Sequence, residues 1–437
     1  MVISTALLFS GVTTAQKITF EEYDLDNGLH VILHQDSSAP VVITSVMYHV
    51  GSKDETPDRT GFAHFFEHLL FEGTENIKRG EWMKIVTANG GVNNANTSDD
   101  RTYYYEVFPS NNLELALWME SERMLHPVIN QIGVDTQNEV VKEEKRSRYD
   151  NQPYGKVISA VKENMFKNHP YRWETIGSME HLDAATLEEF KAFNKKFYIP
   201  NNAVLVVAGD FEKAKTKEWI QNYFGSIKKG VELKKQTFVE EPITETITKT
   251  AEDPNIQIPM LVVSYRTPSM KTRDARVLDM ISSYLSDGKS SKLYKKIVDE
   301  KKVALQIGAF GYNQEDYGMY ILYGLPMGTH TLTDLLKEFD EEITKLQTEL
   351  ISETDFQKLR NKFDNNYVNA NSTVEGIAEN LATYYLLYKD INLINSEIEL
   401  IHTITREEIR DVAKKYLNPN QRLLLDYVPA KETATNK

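Results

Sequence analysis

The chain has 437 residues, too many for one ordinary core, so two or more domains are expected. Its 41% hydrophobic and 26% charged content is that of a folded globular protein, and a net charge of −14 argues against nucleic acid or anionic lipid as a partner. With no cysteine, disulfides, thiolate metal sites and a cysteine nucleophile are excluded.

In chain order, the apolar run Ala6–Val12, followed by small residues up to Ala15, has the form of a secretory h-region and cleavage site, although no Lys or Arg precedes it. Residues 1–15 are therefore expected to be a signal peptide and the mature chain periplasmic or secreted, with an apolar N-terminal strand and a cytoplasmic location as the alternative. No later segment approaches the ~20 apolar residues of a membrane-spanning helix. From Ile18 the pattern is strand-like: ITFEEYDL, an Asn27-Gly28 turn, LHVILHQD and VVITSVMYHV. Helical periodicity follows in Gly61–Gly73 and Leu113–Leu125, with a strand at Thr102–Phe108 between them. Further helices are expected at Thr136–Arg148 and at Leu187–Phe197, the latter with Thr186 as N-cap. Ala203–Phe211 is a buried strand.

Between Lys228 and Asn255 the composition turns to Lys, Glu and Thr with little apolar periodicity, which reads as a linker. The order then begins again. A strand at Met260–Pro268 precedes helices from Ala275 to Val298, a strand at Met319–Pro326, two long helical stretches and a closing strand at Arg422–Pro429. The expected fold is α+β: two similar α+β domains, each a sheet packed with helices, at residues 16–228 and 256–437, joined by a linker at 229–255.

The segment His64-Phe65-Phe66-Glu67-His68 carries the chemistry. At about 100° per residue, His64, Glu67 and His68 share one helix face, while Phe62, Phe65, Phe66, Leu69 and Leu70 form the core stripe on the other. Two imidazoles one turn apart can hold a zinc ion with room for a third ligand and a water. A carboxylate beside that water can take its proton, which makes Glu67 the candidate general base. The order H-x-x-E-H is an inverted form of the commoner zinc-peptidase motif. The bland alternative is a surface face that happens to carry two histidines. A third ligand is sought on the Thr136–Arg148 helix, where Val140 and Val141 mark the apolar side and Glu144 lies on it. An inward carboxylate needs a compensating partner, either a metal or a basic side chain. The polar stretch Asn94-Ala95-Asn96, leading into a strand, offers an edge on which an extended peptide could pair, or is a plain turn. His30, His34, His49 and His126 have no partner pattern.

The run GSKDETPDRTGFAHFFEHLLFEGTENI (Gly51–Ile77) closely resembles the pitrilysin/insulinase-type zinc metallopeptidases, in particular their mitochondrial-processing-peptidase-like branch. The likeness continues through Asn94-Ala95, Gln137–Gly155, His169–Gly177 and SDGKSSKLYKKIVDEKKVALQI (Ser286–Ile307), and so covers nearly the whole chain. It implies one zinc per chain, with Glu144 as the third ligand in agreement with the helix-face reading. It also implies two similar domains per chain, paired chains around a closed chamber, and peptides or unfolded segments as substrates. Two departures matter. Many members carry a second glutamate two helical turns before the third ligand, where this chain has Gln137, which can donate a supporting hydrogen bond but adds no charge. Active single-gene members also carry an Arg/Tyr pair in the second half, and the matching positions are Val298 and Leu305, which offer no donor. The reading is thus a zinc-dependent endopeptidase and the metal-bearing subunit of a heterodimer with a related chain that carries the Arg/Tyr pair, or of a homodimer. The alternative is a non-catalytic structural or assembly subunit of the same fold. Manganese and cobalt suit the same ligands.

Overall fold

The computed structural model describes residues 17–430, so the segment read as a signal peptide lies outside the described residues. Strands β1 (Glu21–Asp24), β2 (His30–Gln35), β3 (Val41–Tyr48), β4 (Val92–Thr97), β5 (Thr102–Pro109) and β6 (Ala203–Gly209) form one sheet, in the order β1-β2-β6-β3-β5-β4. Strands β7 (Ile247–Asp253), β8 (Met260–Pro268), β9 (Ala304–Asn313), β10 (Tyr317–Pro326) and β11 (Leu423–Pro429) form a second, in the order β7-β11-β8-β10-β9. With β1 set aside, the two sheets share one topology. The first and last strands of each set pair in parallel, β2 with β6 and β7 with β11, and every other neighbour is antiparallel. The duplicated α+β architecture expected from element order is therefore present in the backbone.

Burial explains the strand sequences. Central β6, AVLVVAG, is buried at every position, as a strand covered on both faces must be. Among the described residues strand β4, VNNANT, pairs only with β5 and lies at the sheet edge, which is why its polar composition is tolerated. Strand β7 lies inside the stretch read as a linker. Its Lys, Thr and Glu side chains face outward from a sheet edge, so the apolar signal of a strand is missing, while residues 228–244 hold no helix or strand.

One face of the first sheet is covered by helices of its own half, Phe62–Leu69, Leu113–Leu125, Leu187–Phe197 and Lys213–Phe224. The other face is covered by the second half: Ile377, Ala378, Leu381 and Ala382 of helix Val374–Thr383 pack on Ile32, Ile43, Met47, Val204 and Val206. The exchange is reciprocal, because Val157, Val161 and Met165 of helix Val157–Met165 pack on Met260, Val262, Met319 and Leu425 of the second sheet. Periodicity shows that a helix has an apolar face but not which sheet will bury it, so this interlocking is invisible in the sequence. A buried polar clasp joins the same halves. Gln314 donates to Asp99 at 2.7 Å, the Glu315 amide donates to Asp100 at 2.9 Å, and Lys53 bridges Asp100 (2.8 Å) and Glu315 (2.5 Å). His49 Nε2 lies 2.7 Å from Glu315 Oε2, a partner that sequence spacing did not reveal. Among the described residues, no helix is long and apolar enough to cross a membrane.

Candidate metal centre and active site

The site begins with how helix Phe62–Leu69 is held. Gly61, just before it, has φ +94°, and a side chain there would strike the Ile176 carbonyl, 2.9 Å from an added Cβ. The buried Glu55 carboxylate accepts from the amides of Gly61 and Ala63, both at 2.8 Å, and so satisfies donors that a helix N-terminus leaves free. At the other end Tyr104 donates to the Phe66 carbonyl (2.8 Å) and Arg123 to the Leu70 carbonyl (3.1 Å). Phe62, Phe65 and Phe66 pack on Phe190 and Phe193, so the expected core stripe is buried and the opposite face is fixed toward the cleft.

On that face the ligand atoms of His64, Glu67 and His68 lie within 4.8 Å of one another. Glu144 arrives from helix Gln131–Lys145, with Oε2 at 3.5 Å from His64 Nε2 and 3.1 Å from His68 Nε2. This helix starts five residues earlier than the spacing suggests. Asn130 caps it through the Gly133 amide, and Gly133 permits close packing, with an added Cβ only 3.3 Å from Leu69. Its buried face is Val134 and Val141, with Glu144 in line. Val140, read as part of the apolar side, is exposed, because the helix turns at 3.6 residues per turn and 134, 141 and 144 define the inward stripe.

Burial, and next the neighbouring His68, lowers the His64 pKa to about 4, leaving a neutral imidazole, and its Nδ1 is buried with no hydrogen-bond partner among the described residues. Burial raises the Glu144 carboxyl, but His68, His64 and Arg148 outweigh it and hold the group below its ordinary value. The donor set fits a divalent cation. Tetrahedral ligands at ~2.0–2.1 Å from zinc stand ~3.3–3.4 Å apart, close to the separations between Glu144 and the two imidazoles. Burial raises Glu67, while Thr97 Oγ1 donates to its Oε2 at 2.6 Å and pulls the other way.

These residues line a cavity of ≈ 430 Å³ together with Asn94, Ala95, Asn96, Thr97, Arg148 and Thr175. The structure thus brings His64, Glu67, His68, Glu144 and the Asn94–Asn96 edge to one place. Asn96 is steadied by Arg101, which donates to its carbonyl at 3.2 Å and to Glu379 of the second half at 3.0 Å. Gln137 stands apart: it donates to Glu72 Oε1 and makes no hydrogen bond to the four site residues among the described residues. Val298 packs against the second core and Leu305 is 47% exposed on β9.

Residues 30–178 match the family model described as Insulinase (Peptidase family M16), and residues 184–363 match that described as Peptidase M16 inactive domain. The zinc protease PqqE of Helicobacter pylori is 30% identical over 404 residues, which are 92% of this chain and 91% of that one. This chain belongs to the M16 insulinase family. Another M16 relative, the probable mitochondrial-processing peptidase subunit beta of Arabidopsis thaliana, is 23% identical over 403 residues, covering 90% of this chain and 75% of that one. The likeness to the processing-peptidase branch is therefore borne out. The crystal structure of a protease from Helicobacter pylori superposes with a TM-score of 0.89 at 28% identity, over 94% of this chain and all of that one.

Several residues around the M16 motif escaped sequence reasoning. Thr97 touches Glu67, Arg148 touches Glu144 at 2.7 Å, and Glu55 and Arg123 hold the two ends of the motif helix. Thr97 carried a signal, since alternation along β4 sends Ala95 and Thr97 to the same face. The others depend on contacts set by the tertiary fold.

Proposed function

We propose that this chain is a zinc-dependent endopeptidase acting on peptides or unfolded segments, with one zinc held by His64, His68 and Glu144 and with Glu67 as general base. The observation that carries the reading is the convergence of two imidazole Nε2 atoms and one carboxylate oxygen at 3.1–3.5 Å, beside a second, separately anchored carboxylate. When bound, the ion acts as a Lewis acid on the scissile carbonyl and lowers the pKa of the attacking water towards neutrality. Glu67, with one oxygen fixed by Thr97, takes the water's proton and passes it to the leaving amine. The upward pull of burial on this carboxyl suits a group that must both accept and return a proton. An extended substrate adds a strand to the open edge of β4 at Asn94, Ala95 and Asn96, held by main-chain hydrogen bonds.

The second unit, residues 256–437, is the catalytically degenerate partner of the zinc-bearing unit, residues 16–228. Val298 and Leu305 supply no donor for a substrate carbonyl, so a related chain with an Arg/Tyr pair completes the site in a heterodimer, with a homodimer as the other arrangement. Export to the periplasm rests on residues 6–15 alone. The same two positions favour one competing reading, a non-catalytic assembly subunit. A cleavage assay on the zinc-loaded chain, beside Glu67→Gln with metal content measured in both, separates them. Activity that disappears in the variant while metal stays supports the peptidase. Metal without activity in either form points to a missing partner, and no bound metal promotes the assembly reading.

A further inference from the structure

The cavity at the metal centre carries a charge that the reaction does not use. Helix Gln131–Lys145 continues into a wider, π-type turn at Arg146–Asp150, and Arg148, four residues past Glu144, stands on the same side as that ligand. Its Nη1 lies 2.7 Å from Glu144 Oε1, the oxygen turned away from the histidines, yet the side chain is 73% exposed, so most of its five donors are free. Asn94, Asn96, Thr97, Tyr149 and Thr175 give the same wall only uncharged polar groups, and both histidines share their Nε2 atoms with Glu144. Arg148 is therefore the one permanent cation among the described residues lining the cavity.

Charge balance then points to the ligand. Glu144 is shared, with Oε2 towards the two histidines and Oε1 on Arg148, so two carboxylates, Glu67 and Glu144, would face a divalent ion and one guanidinium, and the cavity would keep a net positive charge on its Arg148 side. A planar guanidinium with free N–H groups is matched best by a carboxylate, which it can hold through two parallel hydrogen bonds. We propose that Arg148 is a specificity-determining residue and that the site prefers peptides with an Asp or Glu side chain close to the cleaved bond. The inference rests on the peptidase reading above and adds the substrate class to it. The acidic net charge of the chain does not decide the matter, because the local field of the cavity, not the sum over the surface, sets which side chain is accommodated.

The test is a binding titration that does not depend on turnover. Fluorescent peptides are made as twins that differ by a single Glu or Gln at successive positions, and each is titrated onto the zinc-loaded full chain with Glu67 intact, the peptides being confirmed uncut by mass spectrometry after each titration. The Glu twin is expected to bind about tenfold tighter at one or two adjacent positions, the worth of one charge-assisted hydrogen bond. Adding Arg148→Gln should bring the ratio near one with zinc retained, and Arg148→Lys should keep part of it. Equal binding of all twins, or a ratio that survives Arg148→Gln, overturns the inference alone. If Arg148→Gln releases zinc, the arginine supports Glu144, and the ratio in Arg148→Lys decides: preference kept upholds the proposal, preference lost removes it. Failure of every peptide to bind overturns the inference for this chain, and the zinc content measured beside it separates that from failure of the peptidase reading, which falls only if zinc is not bound.

Discussion

Replacing Arg123 with methionine tests how the motif helix is held in place. The guanidinium is fully buried, lies 3.1–3.2 Å from carboxylate oxygens of Glu120 and Glu106, donates to the Leu70 carbonyl at 3.1 Å, and sits 4.1–4.5 Å from the ring centroids of Phe71, Trp82 and Tyr104. Burial, and next Glu120, pushes the Glu106 carboxyl well above its usual range even with the arginine present. Without the cation, two adjacent buried acids lose their counter-charge. Breaking a buried pair by removing one partner costs about 3–5 kcal/mol, and because methionine restores part of the lost packing the lower end, about 3 kcal/mol, is the working figure. Because each half covers the other's sheet, the halves melt together, and at about 2.1 cal/mol/K per residue over the described chain the melting temperature should fall by about 3–4 °C. The sign of the pH effect follows. A carboxyl whose folded pKa lies above its unfolded value penalises the fold at high pH, and the penalty fades as pH falls towards the unfolded value of about 4.3. The deficit of Arg123→Met should therefore be smaller at pH 5 than at pH 8, and Glu120→Gln in the same chain should recover part of it. Thermal melts followed by circular dichroism at the two pH values give the answer. A shift under about 2 °C, or a deficit that grows on acidification, would refute the reasoning.

Thr97→Val removes the hydroxyl that donates to Glu67, so kcat should fall about tenfold and the acid limb of the rate profile should move to higher pH, with Thr97→Ser retaining most activity. Val298→Arg together with Leu305→Tyr should raise cleavage by the isolated chain if the missing donors are what limits it; Leu305 is exposed enough to admit the ring, and unchanged rates would place the deficit elsewhere. Burial raises the Glu315 carboxyl, but His49 and Lys53 outweigh it and hold the group far below the ordinary carboxylate range. Its contribution is thus present above the unfolded pKa and lost as the pH falls. Glu315→Gln should cost about 3 kcal/mol at pH 7 and flatten the stability profile below about pH 5, which acid titration of the melting temperature checks.

The motif face was legible because both of its requirements are local. A 3.6-residue repeat puts His64, Glu67 and His68 opposite Phe62, Phe65, Phe66 and Leu69; the phenylalanines and Leu69 are buried and Glu67 and His68 are partly open, while His64 is buried on the cleft side. Glu144 could be placed because its helix also carries its own inward stripe, although Val140 pointed the wrong way and the helix start was missed with Asn130. Legibility ended where a contact crosses between halves. Helices Val157–Met165 and Val374–Thr383 are amphipathic in any context, and nothing local says that each will cover the other half's sheet. His49 meets Glu315 across 266 positions, and Arg123 meets Leu70 across 53, distances over which only the assembled fold sets the geometry. Strand β7 was lost for the opposite reason, since a polar edge strand leaves almost no apolar alternation to read.

The most direct test of the account is the zinc content of the purified chain and its variants by elemental analysis after dialysis against trace metal. The account predicts about one equivalent in the unaltered chain and in Glu67→Gln, and strongly reduced content in His64→Ala, His68→Ala and Glu144→Ala, with all variants still folded by circular dichroism. Zinc absent from the unaltered chain, or retained equally when the histidines or Glu144 are removed, would contradict it.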